Sequence, residues 1–218
     1  MIHKVVLLTP IGLIITMGLF FRYLSIHFGV DLAILLGFLV YQLMWCIFIP
    51  YRILKKNIFF SIFMQNKKIF TRKNTLYIAL TLLPIIGAIP LFILSLSKYS
   101  IVLLFIGLPF TVFNGVSEEI LWRGLFIKTQ KKVLLKVIYP AILFSIWHIC
   151  PHMVYIEKPF VETLAFALFT FPLGLAYSIV ANRFDSIKMT SISHAISGII
   201  AFGIPLSTSL SNLLGIPY

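Results

Sequence analysis

Long apolar runs alternate with short polar ones along the chain, and the apolar runs are long enough to cross about 30 Å of hydrocarbon as helices. They fall at 5–21, 32–51, 76–97, 100–127, 133–156, 160–181 and 187–204. The pattern predicts an all-α, polytopic transmembrane helical bundle of about seven helices, six to eight depending on how 205–218 is read. It makes one transmembrane domain over 1–218. Pro84, Pro90, Pro109, Pro140 and Pro172 lie inside these spans, where membrane helices tolerate them and kink. Between the second and third spans, 52–75 mixes Ile58, Phe59, Phe60, Ile62 and Phe63 with lysines. It is expected to lie along the leaflet as an amphipathic segment.

Composition sharpens this picture. The chain is 60% hydrophobic and 11% charged, against a charged fraction of about 25% in soluble domains. A net charge of +12 would suggest nucleic acid in a soluble protein. Here the basic residues cluster between spans, so anionic lipid is the expected partner and nucleic acid is not. Assigned to alternating sides, one side receives Lys4, Arg52, Lys55, Lys56, Lys67, Lys68, Arg72, Lys73, Lys128, Lys131, Lys132, Lys136, Arg183 and Lys188. The other receives only Arg22, Lys98 and Lys158, and Arg123 stays at membrane depth. This asymmetry predicts a multi-pass protein of the cell membrane with a cytoplasmic amino terminus. Lys4 before an apolar run has the outline of a signal peptide but no small-residue cleavage site follows, so the run is read as a retained first helix. Cys46 and Cys150 both sit in apolar spans and indicate no disulfide framework.

The stretch that stands out is Asn114-Gly-Val-Ser-Glu118-Glu119-Ile-Leu-Trp-Arg123. Two of the 6 acidic residues in the chain are adjacent there, inside apolar sequence. Each carboxylate near the bilayer centre costs roughly 2.5–3.5 kcal/mol on insertion scales, which makes a functional role the default reading. On a helix Glu119 and Arg123 are four apart in the favourable order for an ion pair. Glu118 lies about 100° round the helix, outside that pair. Asn114, Gly115 and Ser117 would alternatively break one helix and cap an interfacial one, with the acids in its first turn. The apolar residues that follow leave such a helix no face for water.

Two more titratable groups fall at comparable depth. Counted from the basic ends of their spans, Glu118 is roughly 15 Å in, His148 roughly 17 Å and His194 roughly 9 Å. His148, Cys150 and His152 also raise zinc, whose ligand types they are. No His-Glu-x-x-His sequence is present, and Pro151 disturbs the register that the second histidine would need. No nucleophile elbow and no paired intramembrane aspartates are found. Glu157, Lys158, Glu162 and Asp185 read as exposed loop charges.

Glu-Glu-x-x-x-Arg at 118–123, Phe-x-x-x-His at 144–148 and the later membrane histidine at 194 resemble the three motifs of the CAAX protease and bacteriocin-processing family. This family, also called CPBP or Abi, comprises intramembrane glutamate endopeptidases. The likeness covers a motif-bearing core of about 100–204. It implies an endopeptidase acting on a membrane-associated peptide or protein, with no cofactor. Glu118 would be the general base that activates water, and His148 would orient that water. Glu119 and Arg123 would fix the helix by pairing, and His194 would donate to the oxyanion. One position departs: the family's third motif usually carries Asn or a similar residue four after the histidine, and this chain has Gly198. The second donor would then be Ser197, Asn182 or backbone. Three rival readings are a non-catalytic bacteriocin immunity protein acting by binding, a zinc-dependent membrane protease, and an ion or proton pathway. The last lacks an inverted repeat.

Overall fold

The computed structural model describes residues 2–96, 101–155, 159–199 and 203–215. Among these every regular element is helical, as expected where backbone polar groups must be satisfied without water. The helices are α1 (Ile2–Phe28), α2 (Val30–Val40), α3 (Ile49–Ser61), α4 (Thr75–Leu96), α5 (Ile101–Glu119) and α6 (Leu125–Thr129). They continue as α7 (Tyr139–Trp147), α8 (Ile149–His152), α9 (Phe160–Phe184), α10 (Lys188–Gly198) and α11 (Ile204–Leu214). Three segments, Tyr41–Phe48, Ile120–Gly124 and Leu134–Ile138, widen into π-helical turns. The first joins α2 to α3 and the second joins α5 to α6.

Among the described residues five helices are long and apolar enough to cross a membrane: His3–Phe28, Val30–Ser61, Arg72–Leu94, Leu134–His152 and Phe160–Phe184. The expected spans at 100–127 and 187–204 correspond to α5 with its continuation to α6, and to α10. These are the two that carry the acids and His194. The helix break at Asn114 that the alternative reading requires does not occur. α5 runs unbroken to Glu119, so both acids lie at the end of a long helix and not in the first turn of a short one. The span at 133–156 is interrupted at His148. Pro151 has no N–H to offer the Trp147 carbonyl, and a single turn, α8, follows. Lys98, Glu157 and Lys158 lie outside the described residues.

Large apolar side chains fill the centre, with Trp122, Trp147, Phe21, Phe126 and Phe144 essentially inaccessible. The outer faces keep Leu8, Ile15, Leu19 and Phe169 exposed, as suits contact with lipid. Gly29 ends α1 at φ 81°, a left-handed conformation that only glycine adopts readily, and folds α2 back along α1. The segment at 52–75 has two faces: Leu54, Phe59 and Ile62 are buried in the core, while Ile58, Phe60, Met64 and Phe70 keep about half or more of their surface. The backbone N–H of Ile187 donates to the Ile62 carbonyl at 2.9 Å.

Polar contacts gather the basic segments at one end of the bundle. The Lys67 ammonium donates to the Arg183 carbonyl at 2.6 Å, Lys128 pairs with Asp185 at 2.7 Å, and Arg183 donates to Asn74. At another end Ser25 donates to the Val154 carbonyl at 2.6 Å. The sided arrangement of charge in the sequence therefore has a counterpart in which basic loops meet.

The contact that positions the site is between α5 and α10. A Cβ on Gly115 would lie 2.5 Å from the backbone nitrogen of Ala195, the residue after His194. Only a glycine lets the two backbones approach this closely. Gly115→Ala is expected to lower stability by about 1–3 kcal/mol through overpacking. Gly87→Ala, at a helical glycine with open space around it, should leave stability unchanged or raise it. Thermal unfolding of both variants in detergent checks the pair.

Candidate active site

Glu119 and Arg123 form the ion pair that their spacing implies, Arg123 Nη1 donating to Glu119 Oε1 at 2.8 Å with both side chains fully buried. Such a pair survives in an apolar interior only if further partners meet its remaining polarity. Arg123 Nη2 donates to the Gly174 carbonyl at 3.3 Å. The guanidinium lies 4.3 Å from the centroid of the Phe144 ring and 5.5 Å from that of Tyr177, within range of the ring quadrupoles. Arg123 Nε and Glu119 Oε2 have no hydrogen-bond partner among the described residues.

Glu118 points elsewhere, as the helix geometry predicts. Its Oε1 accepts a hydrogen bond from the Tyr41 hydroxyl at 3.0 Å. That hydroxyl in turn accepts from Trp122 Nε1 at 2.8 Å, and the Tyr41 ring stacks on Trp147 at 3.9 Å. Tyr41 thus has one orientation and donates its only proton to the acid. Glu118 Oε2 lies 3.3 Å from His194 Nε2.

His194 closes the arrangement. Its Nδ1 is 3.0 Å from Glu119 Oε1, so one imidazole spans both acids. With Arg123 cationic, two distributions leave these four groups without net charge. Either both acids are ionised and His194 is protonated, or Glu118 carries the proton and His194 is neutral. They differ by one proton moved across the 3.3 Å contact. The structure places the His194 imidazole against the acid pair.

His148 arrives differently. Its Nδ1 is 2.7 Å from the Phe144 carbonyl. A carbonyl only accepts, so Nδ1 carries the hydrogen and neutral His148 presents Nε2 as an acceptor. Neither glutamate is among its hydrogen-bond partners. The Phe144 ring stands 4.5 Å from the His148 ring and 6.1 Å from that of His194, edge-on to both. This explains the four-residue spacing of Phe-x-x-x-His: the Phe144 carbonyl orients the histidine while its ring meets Arg123.

Several groups at the site were not picked out from the sequence. Tyr41 and Gln42 were missed although they form a polar pair in the middle of an apolar span. Gln42 Nε2 donates to Asn114 Oδ1 at 3.0 Å, tying the wide turn at Tyr41–Phe48 to α5. Tyr177 packs against His194 at 5.4 Å between centroids and hydrogen-bonds Ser193 and Ser197. Ser197, a suggested second donor, is engaged there and with the His194 carbonyl. Asn182 makes no hydrogen bond to these groups among the described residues. A Cβ on Gly198 would meet nothing within 4 Å.

The suggested zinc ligands do not assemble. Among the described residues no group of three or more His, Cys, Asp or Glu is placed to hold a metal ion. His148 Nδ1 is taken by the Phe144 carbonyl, and Cys150 Sγ donates to the Ile14 carbonyl at 3.4 Å. Both cysteines are free and buried.

The model of one protein family, described as type II CAAX prenyl endopeptidase Rce1-like, matches residues 100–200. No curated protein and no solved structure matches the chain. The matched stretch contains Glu118, Glu119, Arg123, Phe144, His148 and His194 and leaves out Tyr41. The match covers a little under half of this multi-pass membrane chain, and over that stretch, with its acids, arginine and histidines in motif order, the chain is similar to the type II CAAX prenyl endopeptidases.

Proposed function

We propose that the protein is an intramembrane endopeptidase that hydrolyses a peptide bond of a membrane-associated peptide or protein by glutamate-activated water. The observation that carries this reading is the unequal treatment of the two acids. Glu119 is neutralised by Arg123 on its own helix, while Glu118 is held by the Tyr41 hydroxyl and by one imidazole nitrogen. An acid fixed by weak partners and free of a guanidinium suits a general base.

In this mechanism Glu118 takes one proton from water as the water oxygen bonds to the carbonyl carbon. His148 Nε2 accepts the other water hydrogen and fixes the direction of attack. The carbonyl oxygen becomes an oxyanion, to which protonated His194 donates. Its 3.3 Å contact with Glu118 is longer than the about 2.7–2.9 Å of a strong charged hydrogen bond, so it is readily exchanged for a better acceptor. As the C–N bond breaks, Glu118 returns its proton to the leaving nitrogen, giving an acid and an amine. The residues need no metal for this sequence.

The membrane setting and the family match support a peptide presented at the membrane as substrate, and the candidates are a CAAX-type carboxyl terminus and a bacteriocin or pheromone precursor. The basic end of the bundle faces the cytoplasm in this reading.

Glu118→Gln is expected to lower cleavage by roughly 10²–10⁴-fold, the usual contribution of a general base. Comparative peptide profiling of membranes from cells carrying the intact and the substituted protein measures it, and identical profiles would sink the proposal. Tyr41→Phe removes one hydrogen bond to a charged group and should lower kcat by roughly tenfold with little change in KM. Steady-state kinetics on a peptide found by the profiling tests this. Treating the purified protein with a chelator should leave the rate unchanged; loss restored by zinc would point to a metalloprotease.

A further inference from the structure

At the basic end of the bundle, away from the acid pair, a cavity of about 400 Å³ is lined by Gln65, Lys67, Lys68, Ile69, Phe70 and Lys188. Three of the six lining residues are cationic and none is acidic. Asp185, the nearest acid in sequence, is already paired with Lys128.

The walls are held in place. The Lys67 ammonium is anchored on the Arg183 carbonyl at 2.6 Å, and the Ile187 N–H joins α10 to the Ile62 carbonyl at 2.9 Å. Asn74 donates to the carbonyls of Lys68 and Ile69. Lys68 and Lys188 have side chains with no hydrogen bond or ion pair among the described residues, and each adds a charge to the cavity. Gln65 Oε1 is buried without a partner, an acceptor suited to a hydroxyl.

The position sets the ligand. The Arg72–Leu94 span begins just after the cavity-lining loop, and the Phe160–Phe184 span ends shortly before Lys188. The cavity therefore lies level with the membrane surface. Phe70 keeps 86% of its surface exposed, and an aromatic beside lysines at that level sits at the boundary between headgroups and acyl chains.

We propose that this cavity binds an anionic phospholipid, its phosphate between Lys67, Lys68 and Lys188, a headgroup hydroxyl on Gln65 and its acyl region against Phe70. The proposal is independent of the peptidase reading. Because Lys188 opens α10, a bound headgroup also fixes the helix that carries His194.

The test uses the full chain in phosphatidylcholine nanodiscs with rising fractions of phosphatidylglycerol, with lipid retention read by native mass spectrometry. Juxtamembrane lysines contribute about 1 kcal/mol each, so Lys68→Gln with Lys188→Gln should weaken phosphatidylglycerol retention by roughly 30-fold. Neither side chain has a protein partner to lose, and circular dichroism should give unchanged helix content. Lys131→Gln with Lys132→Gln, the same change of charge at exposed positions outside the cavity, should retain lipid like the parent. Phe70→Ala should weaken retention as well. Equal loss in both lysine pairs would overturn the site in favour of diffuse attraction. Equal retention of phosphatidylcholine and phosphatidylglycerol would overturn the charge assignment. Displacement of the lipid by inorganic phosphate at matching concentration would overturn the lipid as its source and leave a soluble phosphate.

Discussion

Burying Glu119 and Arg123 together, with no solvent exposure, constrains the rest of the structure. A charge pair taken out of water loses several kcal/mol of hydration per ion, regained only where the remaining lone pairs and N–H groups find partners. Here those partners come from elements far apart in sequence: the Gly174 carbonyl on α9, the Phe144 ring on α7 and the His194 imidazole on α10. The three must converge on one point of α5. The fold can be understood as the set of helix contacts that allows it.

Small residues make the convergence possible. Gly115 admits the backbone of α10, and at Gly174 a Cβ would lie 2.9 Å from the Phe144 ring. Without a hydrophobic drive between helices in lipid, close packing of this kind supplies much of the association. It is also what brings the imidazole of a short helix to both carboxylates.

The spans, the adjacency of the acids and the four-residue pairing of Glu119 with Arg123 were legible because each depends on local spacing. So was the likeness carried by Phe144, His148 and His194. What was not legible depends on helix phase and on partners from outside the motifs. Tyr41 reaches Glu118 from the first half of the chain, where the only hint was a polar pair in an apolar run. The wide turns at Tyr41–Phe48 and Ile120–Gly124 carry no composition signal that distinguishes them from regular helix, and π-helical turns often accompany functional sites. The engagement of His194 with both acids needed the depth of α10 relative to α5, which counting residues from span ends gives only loosely.

The pairing of Glu119 and Arg123 within one helix also bears on biosynthesis. The acids leave the ribosome some 75 residues ahead of His194 (194 − 119), so α5 must enter the bilayer before its distant partners exist. A counter-ion one turn away lets Glu119 travel as a neutral unit. Tyr41, already made, supplies Glu118 with a donor, and the imidazole completes the centre when α10 is synthesised.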